Sequence, residues 1–151
     1  MYSIRRAESK DIAILIEFRE RMFRSFVDDF SEYDKMNKVA LKYFEEKLEK
    51  NEVVAWVAEN GERRIIACAA ISFYELPPKP WNLDGKYGYV SNMFTEPSHR
   101  KKGLGGKLLQ AVLDYAKEIG IKGVTLHATE IGEQLYHSFG FRQTEEMGVR
   151  F

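Results

Sequence analysis

Residues 86–128 read in order as a strand, a turn rich in glycine and cations, an amphipathic helix and a second strand, and no other stretch restricts the fold as much. Two strands joined through a helix lie parallel, and such a crossover is right-handed, so the helix packs across one face of their sheet. Units of this kind place ligands beyond the carboxyl ends of their strands. Here that position is taken by Glu96-Pro97-Ser98-His99-Arg100-Lys101-Lys102-Gly103-Leu104-Gly105-Gly106-Lys107. Glycines without a Cβ let backbone donors approach a ligand, and the unpaired N–H groups opening a helix favour negative charge. The segment reads as a site for a phosphate or pyrophosphate.

The rest of the chain supplies elements to surround this unit. A first strand is expected over 2–6, and a helix over 9–25 follows the cap-like Glu8-Ser9-Lys10-Asp11. Met36, Ala40, Tyr43, Phe44 and Leu48 recur at spacings of three and four, which predicts a second helix over 33–50. Runs 53–59 and 64–76 are rich in β-branched and aromatic residues and flank Asn60-Gly61, so they are expected to pair antiparallel. Pro77-Pro78-Lys79-Pro80 lacks the donors a ladder needs and begins a loop carrying Trp81. In the crossover, a strand over 86–96 leads to a helix whose face is Leu104, Leu108, Val112, Tyr115 and Ile119, stopped by Gly120. A strand over 122–128, a helix to about 139 and one or two short strands within 141–151 complete the expectation. This order is a mixed α/β layout with antiparallel and parallel pairs in one sheet.

Composition narrows the partners. The 151 residues, 44% of them hydrophobic, suffice for one sizeable core, so 1–151 is read as a single domain. The 23 basic and 23 acidic residues cancel, which leaves no overall field to draw in nucleic acid or an anionic membrane. Cys68, the one cysteine, lies in an apolar run and reads as a core thiol; no disulfide is possible within the chain. The N-terminus lacks the apolar stretch of a signal peptide and no run is long enough to span a membrane, so the expected location is cytoplasmic.

The glycine turn fits neither common nucleotide pattern. In G-x-x-x-x-G-K-[ST], Lys101 stands at the first glycine and Leu108 at the hydroxyl residue; in G-x-G-x-x-G, Gly103 and Gly105 match but Leu108 takes the last position. No metal is called for. The run Arg100-Lys101-Lys102-Gly103-Leu104-Gly105 instead resembles the R/Q-x-x-G-x-G/A signature of the GNAT N-acetyltransferase superfamily. The strand end Asn92-Met93-Phe94-Thr95-Glu96-Pro97 before it and Leu135-Tyr136-His137-Ser138-Phe139-Gly140-Phe141 after it extend the resemblance over about 87–141.

The resemblance implies a GNAT-like α/β fold: a mixed six- to seven-stranded sheet flanked by about four helices, in three layers. It implies acetyl-CoA as acyl donor, its pyrophosphate held by backbone amides of Arg100, Lys101, Lys102, Gly103, Leu104, Gly105 and Gly106, and its pantetheine arm by backbone of Met93, Phe94 and Thr95 where the fourth strand bulges and parts from the fifth. Tyr136 matches the tyrosine that protonates the departing thiolate, and a phenol near 10 suits a thiol near 8.5. His127 is the first candidate to accept the amine proton, ahead of Glu130 and Glu75. At the start of the last helix, Thr129 and Gly132 replace the asparagine and alanine commoner in the family.

The expected activity is acetyl transfer to a primary amine of a small molecule. A protein N-terminus or lysine as acceptor and a non-catalytic acyl-CoA-binding module are the alternatives, and a homodimer is a further implication. The acceptor wall is expected to mix acids and aromatics, from Phe23, Phe26, Asp28, Asp29, Phe30, Glu32, Tyr33 and Asp34, and so to suit a cationic amine.

Overall fold

The computed structural model describes all of residues 1–151. Strand β1 (Ser3–Arg6) leads through a 3-10 turn (Ser9–Asp11) into α1 (Ile12–Arg24) and then α2 (Tyr33–Glu49). Strands β2 (Val53–Glu59), β3 (Ile65–Glu75) and β4 (Lys86–Thr95) follow, and a second 3-10 turn (Pro97–His99) precedes α3 (Leu104–Glu118). Strand β5 (Gly123–Leu126) and α4 (Glu130–Ser138) complete the regular elements. The sheet runs β1-β2-β3-β4-β5, with every pair antiparallel except the crossover pair β4·β5, which is parallel.

Both faces of this sheet are covered, which accounts for the nearly unbroken apolar runs in its central strands. Along β2 the side chains alternate: Val53, Ala55 and Val57 pack with Leu15, Phe18 and Phe44 of the α1/α2 layer, whereas Val54 and Ala58 pack with Leu104, Leu108 and Val112 of α3. Three layers result, with α1 and α2 on one face and α3 and α4 on the other. The helical stripe read on α3 ends one turn early, because Ile119 is exposed.

The strand count differs from expectation. Five strands form the sheet rather than six or seven, and residues 142–151 lie exposed without regular structure. Met147, Val149 and Phe151 do alternate as in a strand. Alternation prescribes faces, however, and a strand also needs a neighbouring ladder, which this segment does not find within the chain.

Candidate active site

The glycine-rich turn is built from the end of β4 onward. Glu96 accepts two hydrogen bonds from Arg21 of α1, at 2.9 and 3.0 Å, and a longer one from Arg64. The Arg21 hydrogen bonds hold its carboxyl below the ordinary range. Arg100 is anchored as well, its Nε donating to the Thr95 carbonyl at 3.0 Å. Lys101 (φ 59°) and Gly103 (φ 78°) are left-handed while Lys102 between them is not. Such alternation gathers successive backbone amides into an anion-holding concavity. The N–H groups of Lys101, Lys102, Gly103, Leu104, Gly105 and Gly106 donate no hydrogen bond within the protein; that of Arg100 does, to Pro97 O at 3.3 Å. Gly105 has a second use, since a Cβ there would meet Leu135 of α4 at 3.2 Å. It lets α3 and α4 approach.

Strand β4 reaches this turn through a defect. Cys68 pairs with Phe94 and Ala70 with Ser91, so Asn92 and Met93 stand opposite the single residue Ala69. This is a β-bulge, and Asn92 takes the strain with φ 56°. Its side chain is fully buried, donating to Leu15 O at 2.9 Å and accepting from Arg19 Nη1 at 3.1 Å. Cys68 Sγ donates to the Asn92 carbonyl at 3.0 Å, and burial pushes this thiol up to about 12, which suits a core thiol and not a nucleophile. The β4·β5 ladder ends at Val90 and Leu126. Beyond it, Met93, Phe94 and Thr95 have β3 on one side and no strand on the other.

Tyr136 lies on the α3 face, in the cluster that holds Val90 and against which Met93 packs. Its ring is buried within the Leu104, Leu108 and Val112 cluster and meets Phe141 edge-on at 5.9 Å, yet its hydroxyl makes no hydrogen bond in the protein. Burial raises the phenol above its ordinary value. Gly132 makes room for it, because a Cβ there would stand 2.8 Å from Tyr136 Cε2. His127 is exposed past the end of β5, its Nδ1 3.2 Å from the Tyr89 hydroxyl. His99 is held by Tyr2 at 3.0 Å, and His137 by the Phe141 carbonyl at 3.0 Å and Glu133 at 3.3 Å.

The sequence profile of the acetyltransferase (GNAT) family matches residues 18–141. The chain belongs to this family. Among GNAT relatives, the uncharacterized N-acetyltransferase YhfO of Bacillus subtilis is 32% identical over 146 residues, covering 93% of this chain and 90% of that protein. A predicted acetyltransferase of Clostridium acetobutylicum, crystallised with acetyl-CoA, is 34% identical with a TM-score of 0.90, over 100% of this chain and 96% of that one. A GCN5-related N-acetyltransferase of Ralstonia eutropha superposes with a TM-score of 0.93 at 30% identity, over 100% and 99% of the two chains.

This GNAT chain has a cavity of about 710 Å³ on the opposite face, between α1, α2 and the sheet. Arg19, Met36, Tyr43, Phe44, Tyr89 and Ser91 are among its lining residues. The expected wall of mixed acids and aromatics forms only in part, with Phe23 and Tyr33 lining a smaller hollow beside the cavity. Of its four acids only Glu32 reaches the cavity; Asp29 lines a smaller hollow of about 160 Å³, and Asp28 and Asp34 are exposed. The α1–α2 connection turns its carboxylates outward to water, and Asp29 caps its own turn by accepting from Ser31 N–H at 2.9 Å. Phe30 and Tyr33 stack instead on Arg24, 4.6 and 4.5 Å from its guanidinium.

Arg19 escaped the motif reading. It falls within the apolar stripe Leu15, Phe18, Met22 and Phe23 of α1, and a cation inside such a stripe is the signal that marks it. The resemblance implies a bulge in the fourth strand, but not that Asn92 turns it or that its side chain reaches Leu15 and Arg19.

Proposed function

We propose that this chain transfers the acetyl group of acetyl-CoA to the primary amine of a small molecule. The observation that carries this reading is the row of unpaired amides from Lys101 to Gly106, placed where β4 has parted from β5. A diphosphate fits that concavity, because the amides need acceptors and Gly103 adopts a backbone that side chains disfavour. Backbone of Met93, Phe94 and Thr95 on the open side of β4 suits the amide-bearing pantetheine arm. Arg100 serves as an anchor for the strand end, while Lys101 and Lys102 offset charge at the exposed rim.

The thioester supplies an electrophilic acyl carbon and a thiolate leaving group. As the C–N bond forms and the C–S bond breaks, Tyr136 gives its phenolic proton to the sulfur; burial keeps that proton in place beforehand. The proton lost by the amine passes to the Tyr89 hydroxyl at the cavity wall and on to His127, 3.2 Å away and open to solvent. Tyr136 on one face and the cavity on the other put acid and acceptor on opposite sides of the parted strands. A volume of about 710 Å³ matches small-ligand sites of roughly 300–1,000 Å³ and favours a free amine over a protein surface.

The test is thiol release from acetyl-CoA across a panel of amines, run beside calorimetric binding of coenzyme A. Turnover on at least one free amine is expected. Coenzyme binding without turnover on any amine or peptide would assign the chain to the non-catalytic alternative, and turnover on peptides alone to a protein acceptor.

Residues 1–151 are proposed to work as one domain in the cytoplasm, as a homodimer. Strand β5 has one unpaired edge, and 142–151 runs without turn or bend, its Met147, Val149 and Phe151 exposed. Reciprocal addition of that segment to β5 of a second copy satisfies both. Sedimentation of the chain with and without 143–151 tests this: a dimer that dissociates on truncation is expected, and a monomer in both cases refutes it.

A further inference from the structure

We propose that the acceptor amine carries a carboxylate, and that Arg19 binds this carboxylate within the cavity between α1, α2 and the sheet. The proposal rests on the acyltransfer reading above and specifies its substrate class: an α-amino acid or a short amino acid of similar size.

The argument starts from an unanswered charge. Arg19 lines the cavity, and its one hydrogen bond inside the protein goes from Nη1 to Asn92 Oδ1, a neutral acceptor. A guanidinium has five donors in a planar fork, so most of this one is unused. Its neighbours on α1 are satisfied: Arg21 pairs with Glu96 at 2.9 Å and Arg24 with Glu20 at 2.7 Å. Arg19 pairs with no carboxylate of the protein, and the ionisable groups that act on it are two phenols, Tyr43 and Tyr89, and the Cys68 thiol. Glu32, the acid of the cavity wall, is engaged by Lys35 at 3.1 Å. A cation drawn out of water without a counter-charge is costly, and the same burial disfavours its charged form. That cost is offset when an anion arrives, and a carboxylate accepts the guanidinium fork through two parallel bonds.

The fork is also held in place. Its carbon lies 5.0 Å from the Phe23 ring centroid, and Asn92 fixes one prong. Asn92 is the bulge residue itself, so the cation is registered to the point where β4 opens. Tyr89 and Ser91 flank Val90, the last residue of β4 paired with β5, and both line the cavity. An amino acid held by Arg19 therefore has its amine within reach of the parted strands. Met36, Val39, Ala40 and Phe44 offer an apolar wall to its side chain.

The test compares acids with their uncharged counterparts. Thiol release is measured for free amino acids, for the same amino acids as primary amides and for the decarboxylated amines. Binding of N-acetyl amino acids and N-acetyl amino acid amides to the coenzyme A-loaded protein is measured by calorimetry. We expect acids to exceed amides by about a hundredfold in kcat/KM, the scale set by losing a hydrogen-bonded charge partner at a half-buried site. We expect Arg19→Gln to erase that preference, leaving acid and amide within about threefold, and Arg19→Lys, a charge without the fork, to fall between. Amides or decarboxylated amines used as well as acids would overturn the proposal while leaving acetyl transfer intact. An equal loss on every acceptor in Arg19→Gln would overturn it too, assigning Arg19 to support of Asn92. If no amine is turned over, the acyltransfer reading fails by itself, and calorimetry still decides the binding claim: equal affinity for acid and amide refutes it. Should Arg19→Gln fail to fold, the comparison of ligands on the unaltered protein stands alone.

Discussion

Tyr136 combines a buried ring with a hydroxyl that finds no partner in the protein, and those two facts make separate predictions. Because the hydroxyl bonds to nothing, Tyr136→Phe is expected to cost little stability, within about 0.5 kcal/mol. As the loss of a proton donor, it is expected to lower kcat by about a hundredfold while leaving coenzyme affinity unchanged. Burial raises the phenol, so its neutral form persists through its ordinary value near 10, and the alkaline limb of the rate profile belongs above that value. The acid limb, set by protonation of amine and base, is expected at the same pH in both proteins. A profile whose acid limb moves in Tyr136→Phe would count against the assignment. Gly132 supplies an independent probe: alanine is favoured over glycine in a helix by about 1 kcal/mol, but its Cβ would stand 2.8 Å from the Tyr136 ring. Gly132→Ala is therefore expected to displace the ring and lower kcat with little change in Tm, a split that stability and kinetic assays resolve.

Strand β4 and the turn after it carry the site as elements. The bulge depends on Asn92, whose removal takes from Leu15 O the donor it has beyond the helix, takes from Arg19 its acceptor and leaves a left-handed backbone on a residue less suited to it. Asn92→Ala is expected to destabilise by about 2–4 kcal/mol in denaturant unfolding. Gly103→Val addresses the turn: no neighbour lies within 4 Å of a Cβ there, so its effect comes from the backbone at φ 78°, where a β-branched residue costs about 1–3 kcal/mol. The turn is expected to relax and coenzyme affinity to fall at least tenfold by calorimetry; unaltered affinity would contradict the amide cradle. Much of this was legible in the sequence. The strand over 53–59 coincides with β2, and the glycine-rich stretch expected between strand and helix coincides with the turn that opens α3. What stayed hidden depended on contacts between distant segments: the residue that turns the bulge is set by Ala69 across the ladder, and the meaning of Arg19 needs α2 and β4 to close a cavity around it. Local composition also cannot tell whether a carboxylate faces a groove or water, which is what separates Glu32 in the cavity from the exposed Asp28 and Asp34.

Across the whole molecule, the α1 side of the structure is tied to the sheet at two ends by ion pairs. At one end Arg5 of β1 bonds Asp11 at 2.7 Å and Glu59 at 2.6 Å. At the other Arg21 of α1 grips Glu96, so the helix that carries Arg19 is locked to the strand end that begins the glycine-rich turn. The terminal segment belongs to this scale as well: its alternation was legible as a strand, but the sequence does not say which ladder it joins. Hydrogen bonds from Arg5 and Arg21 hold the Asp11 and Glu96 carboxyls below their ordinary values. A depressed carboxylate stabilises the fold above its unfolded value, near 4 for both types, and that contribution disappears as pH falls through the folded value. Thermal midpoints are thus expected to be nearly level from about pH 7 to 5 and to drop below about 4.5. Glu96→Gln isolates one clamp: at neutral pH it is expected to be less stable by about 1 kcal/mol, a loss of a few degrees in Tm. The difference is expected to shrink as pH falls below about 4, because protonation of the carboxyl, first in the unfolded chain and then in the folded one, removes the charge that Arg21 answers. A gap that stays constant down to pH 3 would mean that Glu96 acts through its shape and not its charge, and that α1 is positioned by packing alone.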